Sequence, residues 1–465
     1  MPDDTNSIIA IPGSFRDPDG RVFLRENILY RSVAYSYKEN YLQLIRSGLY
    51  SKLTTLGFLI HHDEVDVSQS NAGCFKLLKP TRIEFVSYPY EWSFNQLKDV
   101  AILVLEIQKI ALDYDMTLKD SSAFNIQFNE GKPVLIDTLS FEIYEEGEPW
   151  VAYKQFCQHF LAPLALMSFK DTRLNELFKS NLDGIPLDLA ASLLPARSRL
   201  STGILIHIHL HSVGQKKFSD KKINRNSGKK KFSRNAFSGL IESLGKTITG
   251  LRSPKHVASW YNYYADIELP GAYISEKIKM VNNYCAQVGP HFVWDLGANT
   301  GVFSKLDSLK KSFVVSMDSS HECVDKIYTD CRENGRTNIL PLLIDVMNPS
   351  PALGWENKER DPLFKRGKAD LVMALALVHH LAITNNLPLN RIASFFNDIA
   401  KHLVIEFVPK EDSNAQKLLR SKADIFPDYT PEKFEAEFSN YFAIKERTKL
   451  AGTERVLYLM RRITD

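Results

Sequence analysis

Cysteine is scarce and unpatterned in this chain. Five cysteines (Cys74, Cys157, Cys285, Cys323 and Cys331) are scattered over 465 residues with no CxxC. That spacing excludes a disulfide framework and a thiolate zinc site, and it suits a reducing compartment. Long apolar runs are lacking as well. The most apolar long stretch, WVAYKQFCQHFLAPLALMSF, is interrupted by Lys154, Gln155, Gln158, His159 and Pro163, so it reads as a buried helix and not as a membrane span. The opening MPDDTNSIIAIPGSF has neither a basic n-region nor a long apolar core and is not expected to be a signal peptide. Charge of one sign is not in excess: the net charge of +3 gives no ground for a nucleic-acid or membrane partner. A cytoplasmic protein is expected.

What is present is an ordinary globular composition, 44% hydrophobic and 24% charged, in a chain long enough for roughly two to four domains. The main compositional break is GQKKFSDKKINRNSGKKKFSRN, Gly214 to Asn235. It is rich in Lys, Arg, Ser and Asn and cannot bury a core, so it reads as an exposed linker or flexible loop, either a solvated tether or a basic patch for an acidic partner. It separates an α+β region, 1–213, from connecting helices with a cofactor lid, 236–290, and an α/β domain, 291–465.

Before the break, RVFLRENILYRSV resembles a hairpin turning at Glu26 and Asn27, and YLQLIRSGLYSKLTTLGFLI is a helical run. FKLLKP and RIEFVSYPYEW look like strands, and QLKDVAILVLEIQKIALDYD has the apolar spacing of a long buried helix. After it, FVWDLG, SFVVSMD, ILPLLID, ADLVMALAL and HLVIEFV alternate with helical patterns. YFAIKERTKLAGTERVLYLMRRI then reads as two closing strands. Repeated strand–helix units predict a mostly parallel sheet covered on both faces, with an antiparallel edge.

The strand ends of that sheet carry the chemistry. VWDLGANTGVFSKL has the order D-x-G-x-N-x-G, Asp295, Gly297, Asn299, Gly301. A dinucleotide loop needs G-x-G-x-x-G to bring a helix N-terminus onto a pyrophosphate, and the third glycine is missing here. An acid at the strand tip makes electrostatic sense beside a cationic ligand and little beside a pyrophosphate. Asp318 ends the second strand, where it suits ribose hydroxyls. Asp345 ends the third, where it suits an adenine amino group, and His379 and His380 follow the fourth.

DLGANTG, Asp318, Asp345, ALALVHHL and the closing strand pair resemble the class I S-adenosylmethionine-dependent methyltransferases over about residues 255–465. The resemblance implies a Rossmann-like, seven-stranded sheet that binds S-adenosyl-L-methionine. SWYNYY, NPSPALGW with ENKER, and IEFVPKEDSNAQKLL are similar to a bacterial methyltransferase family that includes a nodulation protein. That family gives no firm substrate; the acceptor expected is a small molecule or glycan-related compound, chosen by the N-terminal region and the insertion around Trp355. His380 and His379 are candidate bases, or one stacks beneath the adenine. Glu406 either binds or deprotonates the acceptor, or it is a buried acid paired with a Lys or Arg. Asn348, Trp355, Glu359 and Arg360 lie on an insertion suited to covering the substrate, and Trp260, Tyr263 and Tyr264 suit a cofactor lid.

A second pattern lies in MTLKDSSAFNIQFNEGKPVLIDTLSFE, with Asp120, Asn125 and Asp137. It resembles the catalytic loop and metal-binding acid of protein kinase-like and aminoglycoside phosphotransferase-like folds. There the first Asp orients the acceptor hydroxyl, and the Asn and later Asp hold Mg²⁺ on ATP phosphates. The chain departs from that pattern in lacking a Gly-rich loop, a V-A-I-K lysine and a D-F-G. The residues are otherwise turn positions of a hairpin. A degenerate kinase-like domain that binds the acceptor, a bifunctional kinase–methyltransferase and a non-catalytic scaffold therefore all stay open. HIHLH (His207, His209, His211) offers a shared face to a metal or, in the plainer reading, to packing.

Overall fold

The computed structural model describes residues 8–66, 73–213, 232–254, 271–420 and 425–463. Contacts divide the chain into a first unit, 1–255 with 352–360, and a second, 256–351 with 361–465. No helix among the described residues is long and apolar enough to cross a membrane.

The first unit opens with a five-stranded antiparallel sheet of β1 (Ile8–Ala10), β2 (Val22–Arg25), β3 (Ile28–Val33), β4 (His62–Val65) and β5 (Lys76–Pro80), in the order β1-β2-β3-β5-β4. Glu26 and Asn27 both have positive φ (50° and 60°), the geometry a two-residue hairpin needs to match strand twist. The helical run between β3 and β4 is two helices, α1 (Lys38–Arg46) and α2 (Leu49–Thr55), separated at Gly48 with φ of 87°. The strand expected over RIEFVSYPYEW does not form. The backbone N–H and C=O of Ser87 are both bonded by the Gln127 side chain, and the Tyr88 N–H by Glu91, so this stretch satisfies its polar groups without a neighbouring strand.

The long helix α3 (Phe94–Asp113) forms as its apolar spacing predicts, opened by a capping box of Ser93 and Gln96. Two short ribbons follow, β6 (Met116–Leu118) with β9 (Phe141–Ile143) and β7 (Ile126–Asn129) with β8 (Lys132–Leu135). The apolar stretch around Phe160 is a helix with a π turn at Cys157–Leu161. Pro163 comes just after, and its missing N–H interrupts the ladder. HIHLH is a π turn too, Leu205–Leu210. His207 lies between the Tyr153 hydroxyl and Ser243, His209 bonds Ser198, and His211 stacks on Tyr153 at 5.0 Å. These contacts are the packing alternative. Helix α4 (Arg234–Gly250), which the sequence groups with the connecting helices, packs along α3 in the first unit. Most of the basic segment, and Trp260, Tyr263 and Tyr264, lie outside the described residues.

The second unit holds a seven-stranded sheet of β10 (Phe292–Leu296), β11 (Phe313–Asp318), β12 (Ile339–Leu343), β13 (Ala369–Ala374), β14 (Ala400–Phe407), β15 (Phe442–Lys449) and β16 (Val456–Arg462). Its order is β12-β11-β10-β13-β14-β16-β15. The first five strands in that order run parallel; β16 is antiparallel to β14 and β15 to β16. The order reverses beside β10, which puts the tips of β10 and β13 at the crevice where such sheets bind ligands. Helices α5 (Gly271–Val288), α6 (His321–Glu333) and α7 (Leu389–Ile399) belong to this unit, with α8 (Ser413–Leu419) after β14. No α-helix connects β10 to β11: residues 301–305 form turns and Asp307–Leu309 a 3-10 turn. Gly301, at φ of 75°, stands where the helix would start, and the five residues after it are too few to nucleate one.

Candidate functional site

The loop after β10 is folded back onto the tip of β11. The N–H groups of Gly297 and Ala298 both donate to the Met317 carbonyl (2.9 and 3.0 Å), and the Asn299 N–H donates to Asp318 Oδ2 at 2.8 Å. Gly297, Asn299 and Gly301 have φ of 69°, 49° and 75°, so three of five consecutive residues are left-handed, which glycine and asparagine tolerate best. A Cβ on Gly301 would meet Ile327 Cγ1 of α6 at 3.0 Å. Glycine there permits the close approach of helix and loop.

Asp295 sits inside β10 with its side chain sealed from solvent. Its carboxylate accepts from the Ser304 hydroxyl at 2.5 Å, and Ser304 accepts in turn from Ser316. Burial pushes Asp295 up to about 6; the Ser304 bond opposes this, the Asp318 charge adds to it and Lys277 lowers it. Asp318 is raised as well, chiefly by burial, although the N–H groups of Ser320, Asn299 and Ser319 favour its charged form. A sealed acid, Asp295, and a half-buried one, Asp318, thus lie close together at the glycine loop. Asp345 lies two residues past the end of β12, exposed, with Oδ1 accepting from the Met347 N–H. Asn348 is exposed on the same turn.

His379 and His380 follow β13 on a short helical turn, with ring centroids 4.2 Å apart. His379 is fully buried, and neither ring nitrogen has a hydrogen-bond partner. Burial drives its pKa well below the usual imidazole value, and the charges of His380, Arg455 and Lys277 push the same way. Burial also lowers His380, to about 4. Both imidazoles are neutral near pH 7.

Glu406 is committed to ion pairing. It is fully buried in β14, with Oε2 at 2.6 Å from Lys277 Nζ and Oε1 at 2.6 Å from the Tyr273 hydroxyl and 3.5 Å from Arg455. Arg455 forks onto Asp412 at 2.7 and 2.9 Å and donates to the Tyr273 hydroxyl. Burial alone would raise Glu406, but Lys277 and Arg455 outweigh it and hold the carboxyl below its ordinary value. Such a group is a poor base and a strong organiser, so of the two roles open for Glu406 the geometry favours the paired acid. Lys277, Tyr273, Asp412 and Arg455 carry no motif. Their signal is indirect: an acid inside the apolar run LVIEFV needs a buried cation.

In the first unit Asp120, Asn125 and Asp137 converge. Asp120 Oδ1 accepts from the Ser122 N–H and from Gln155 (both 2.8 Å), and the Asn125 side chain bonds it as well. Asn125 reaches Ser140 Oγ, which donates to Asp137 Oδ2 at 2.8 Å. Burial and the Asp137 charge raise Asp120. Asp137 is paired with Arg31 of β3 at 2.6 Å. Trp355, Glu359 and Arg360, expected over the substrate end of the sheet, belong to the first unit. Glu359 accepts from Arg16 (2.8 Å) and from the Trp355 N–H (3.0 Å), and Trp355 is 66% exposed. Glu359 therefore holds its own loop onto Arg16.

No family model matches the chain. Among solved structures it is similar to magnesium protoporphyrin IX methyltransferase from Synechocystis PCC 6803 with bound SAH (17% identity, 44% of this chain and 92% of that one, TM-score 0.31). It is also similar to the N-methyltransferase NodS from Bradyrhizobium japonicum WM9 (12% identity, 41% and 97%, TM-score 0.31). A third is the bifunctional kinase–methyltransferase WbdD (17% identity, 43% and 46%, TM-score 0.30). Over nearly its full length the chain is 32% identical to the nodulation protein NoeA of Rhizobium meliloti strain 1021, across 461 residues that make up 97% of this chain and 96% of that protein. The chain belongs to the NoeA family of nodulation proteins.

Proposed function

We propose that the second unit binds S-adenosylmethionine and that the protein methylates a small-molecule or glycan-related acceptor in the cytoplasm, the first unit selecting that acceptor. The observation that carries the reading is Asp295. It is a sealed carboxylate, raised to about 6 mainly by burial, whose hydrogen-bond donor is a neutral hydroxyl. A ligand ammonium beside it would remove the cost of its ionisation. The turns that follow Gly301 offer no helix N-terminus for a pyrophosphate, which further disfavours a dinucleotide.

The residues at the crevice fit the cofactor as a set. Asp295 would pair with the ammonium, Asp318 would accept from ribose hydroxyls, and Asp345 is the candidate for the adenine amino group, with Gly297, Asn299 and Gly301 letting the backbone approach. When bound, S-adenosylmethionine supplies an electrophilic methyl group on a sulfonium. His379, neutral and with both ring nitrogens unpartnered, would take the proton that the acceptor oxygen or nitrogen loses. His380 packs against it, and Glu406 fixes Tyr273, Lys277 and Arg455.

Calorimetric titration of the full chain with S-adenosylmethionine tests the reading. Saturable binding that weakens more than about tenfold in Asp295→Ala, one pKa unit or more of lost charge pairing, is the expected result. No binding by wild type, or equal binding by the variant, overturns it.

The meeting of Asp120, Asn125 and Asp137 favours a second reading, a bifunctional enzyme that also uses ATP and Mg²⁺ in a kinase-like first unit. Against it, the Arg31 ion pair occupies Asp137. Mg²⁺-dependent ATP binding lost in Asp137→Ala would support it, and no nucleotide affinity in wild type would remove it.

A further inference from the structure

Arg360 is a half-buried cation with no ion-paired carboxylate among the described residues. The loop that carries it, 353–360, closes on itself through an antiparallel bridge between Leu353 and Arg360, with Gly354 at φ of 84° and Glu356 and Asn357 at 54° and 56°. It is seated tightly within the first unit: a Cβ on Gly13 would lie 2.8 Å from the Glu359 carbonyl and 3.2 Å from Arg360 Nη1. The guanidinium carbon stands 4.4 Å over the ring centre of Phe124. Tyr88, Tyr90, His159 and Phe178 surround that same ring, with centroids 6.1 to 6.4 Å from it.

None of these neighbours neutralises the charge. Glu359, the adjacent carboxylate, is engaged by Arg16 Nε and Nη2 at 3.0 and 2.8 Å. Burial lowers His159 to about 4, and the charge of Arg360 lowers it further, so it is a neutral ring. Arg360 Nη1 donates to the Glu359 carbonyl, its Nε is buried with no partner, and no carboxylate pairs with it among the described residues. Ring stacking engages the face of the guanidinium and leaves its edge, Nε and Nη2, without an acceptor among the described residues. The remaining donors form the planar fork that matches a phosphate. Phe124 itself lies between Asp120 and Asn125 in sequence, on the 3-10 turn Ala123–Asn125, so the fork is held against the segment that carries those two side chains.

We infer that Arg360 is an oxyanion-binding residue of the first unit and takes the phosphate group of a phosphorylated small-molecule ligand. The loop inserted after the third strand of the methyltransferase sheet thereby serves the first unit as a binding element. The inference stands on the first unit alone and does not depend on the methyl-donor site.

The test is titration of the full chain with inorganic pyrophosphate, followed by calorimetry and by ³¹P line broadening in EDTA, so that no metal at Asp137 contributes. Wild type binds saturably, Arg360→Gln loses at least about tenfold in affinity, and Arg360→Lys, which keeps the charge without the fork, falls between them. Far-UV circular dichroism and S-adenosylmethionine titration of each variant report on the fold and on the other unit. If Arg360→Gln does not fold, the wild type and Arg360→Lys still decide. Absence of pyrophosphate binding in wild type, or affinities equal to wild type in the folded Arg360 variants, overturns the assignment, whatever the outcome for S-adenosylmethionine.

Discussion

Lys277 Nζ lies 2.6 Å from Glu406 Oε2, and both side chains are sealed from solvent. The pair ties α5 to β14 and, with Arg455 and Asp412, sets two cations against two carboxylates. A buried pair adds little net stability compared with apolar residues of the same volume, but removing one partner strands the other, at a cost of about 3–5 kcal/mol. Lys277→Met is therefore expected to lower the unfolding free energy by about that much in urea melts. Lys277→Met with Glu406→Leu should recover most of the loss. A single variant that melts like wild type would show that the network is not a closed charge set.

The same network gives a pH dependence. Lys277 and Arg455 hold Glu406 below its unfolded value despite burial, so its stabilisation is complete above the unfolded carboxylate pKa of roughly 4.3 and is lost as the pH falls through the lower folded value. Asp295 has the opposite sign. Its folded value of about 6 exceeds 3.8, so its ionisation destabilises the fold above pH 6 and the penalty fades on going down towards 4. The gap corresponds to roughly 3 kcal/mol. Asp295→Asn is expected to raise stability at pH 7.5 in the absence of ligand while weakening S-adenosylmethionine binding, an exchange of stability for function. A variant no more stable than wild type at pH 7.5, with the same slope between pH 4 and 6, would contradict the raised carboxyl.

Much of the second unit was legible because its strand ends carry polar residues that a buried sheet does not otherwise need. Asp295, Asp318 and the two histidines each interrupt an apolar run, and period and order place them at one edge. The turn between β10 and β11 was not legible: Val302, Phe303 and Leu306 have helical spacing, but the left-handed Gly301 and a short span leave no room for a helix. Arg455 and Lys277 were invisible because a buried ion pair joins residues that are distant in sequence, and neither helix nor strand periodicity encodes a partner. In the first unit, Asp120, Asn125 and Asp137 were readable from spacing. Arg31 and the docking of 352–360 depend on tertiary contacts that spacing does not report.

Gly301 permits a second test of the loop. At φ of 75°, any side chain is strained, and its Cβ would press on Ile327 at 3.0 Å. Gly301→Ala is expected to cost about 1–2 kcal/mol from the left-handed backbone alone, with further loss from the contact. Adding Ile327→Ala, which removes both γ carbons that the Cβ would meet at 3.0 and 3.3 Å, should relieve the contact but not the strain, so a double-mutant cycle would show coupling of about 0.5 kcal/mol or more. Strict additivity would mean that α6 and the loop are not in the close contact described.

His379 offers the sharpest separation of binding from chemistry. Its imidazole is fully buried, unpartnered and kept neutral by burial and by the nearby charges of Arg455 and Lys277. A base of this kind needs no deprotonation near pH 7, so the rate of methyl transfer should be flat across the range in which ordinary histidines titrate. His379→Phe keeps the ring volume and removes both nitrogens. The expected result is a fall in kcat of about 10²-fold or more, the usual share of a positioned acid–base group, with S-adenosylmethionine affinity held within a few-fold. Replacing a buried polar ring that lacks partners with an apolar one should also leave stability unchanged or improve it. Unchanged turnover in His379→Phe would remove the residue from the chemistry and leave it as core packing beside Arg455. A parallel loss of cofactor affinity would assign it to the methyl-donor pocket instead.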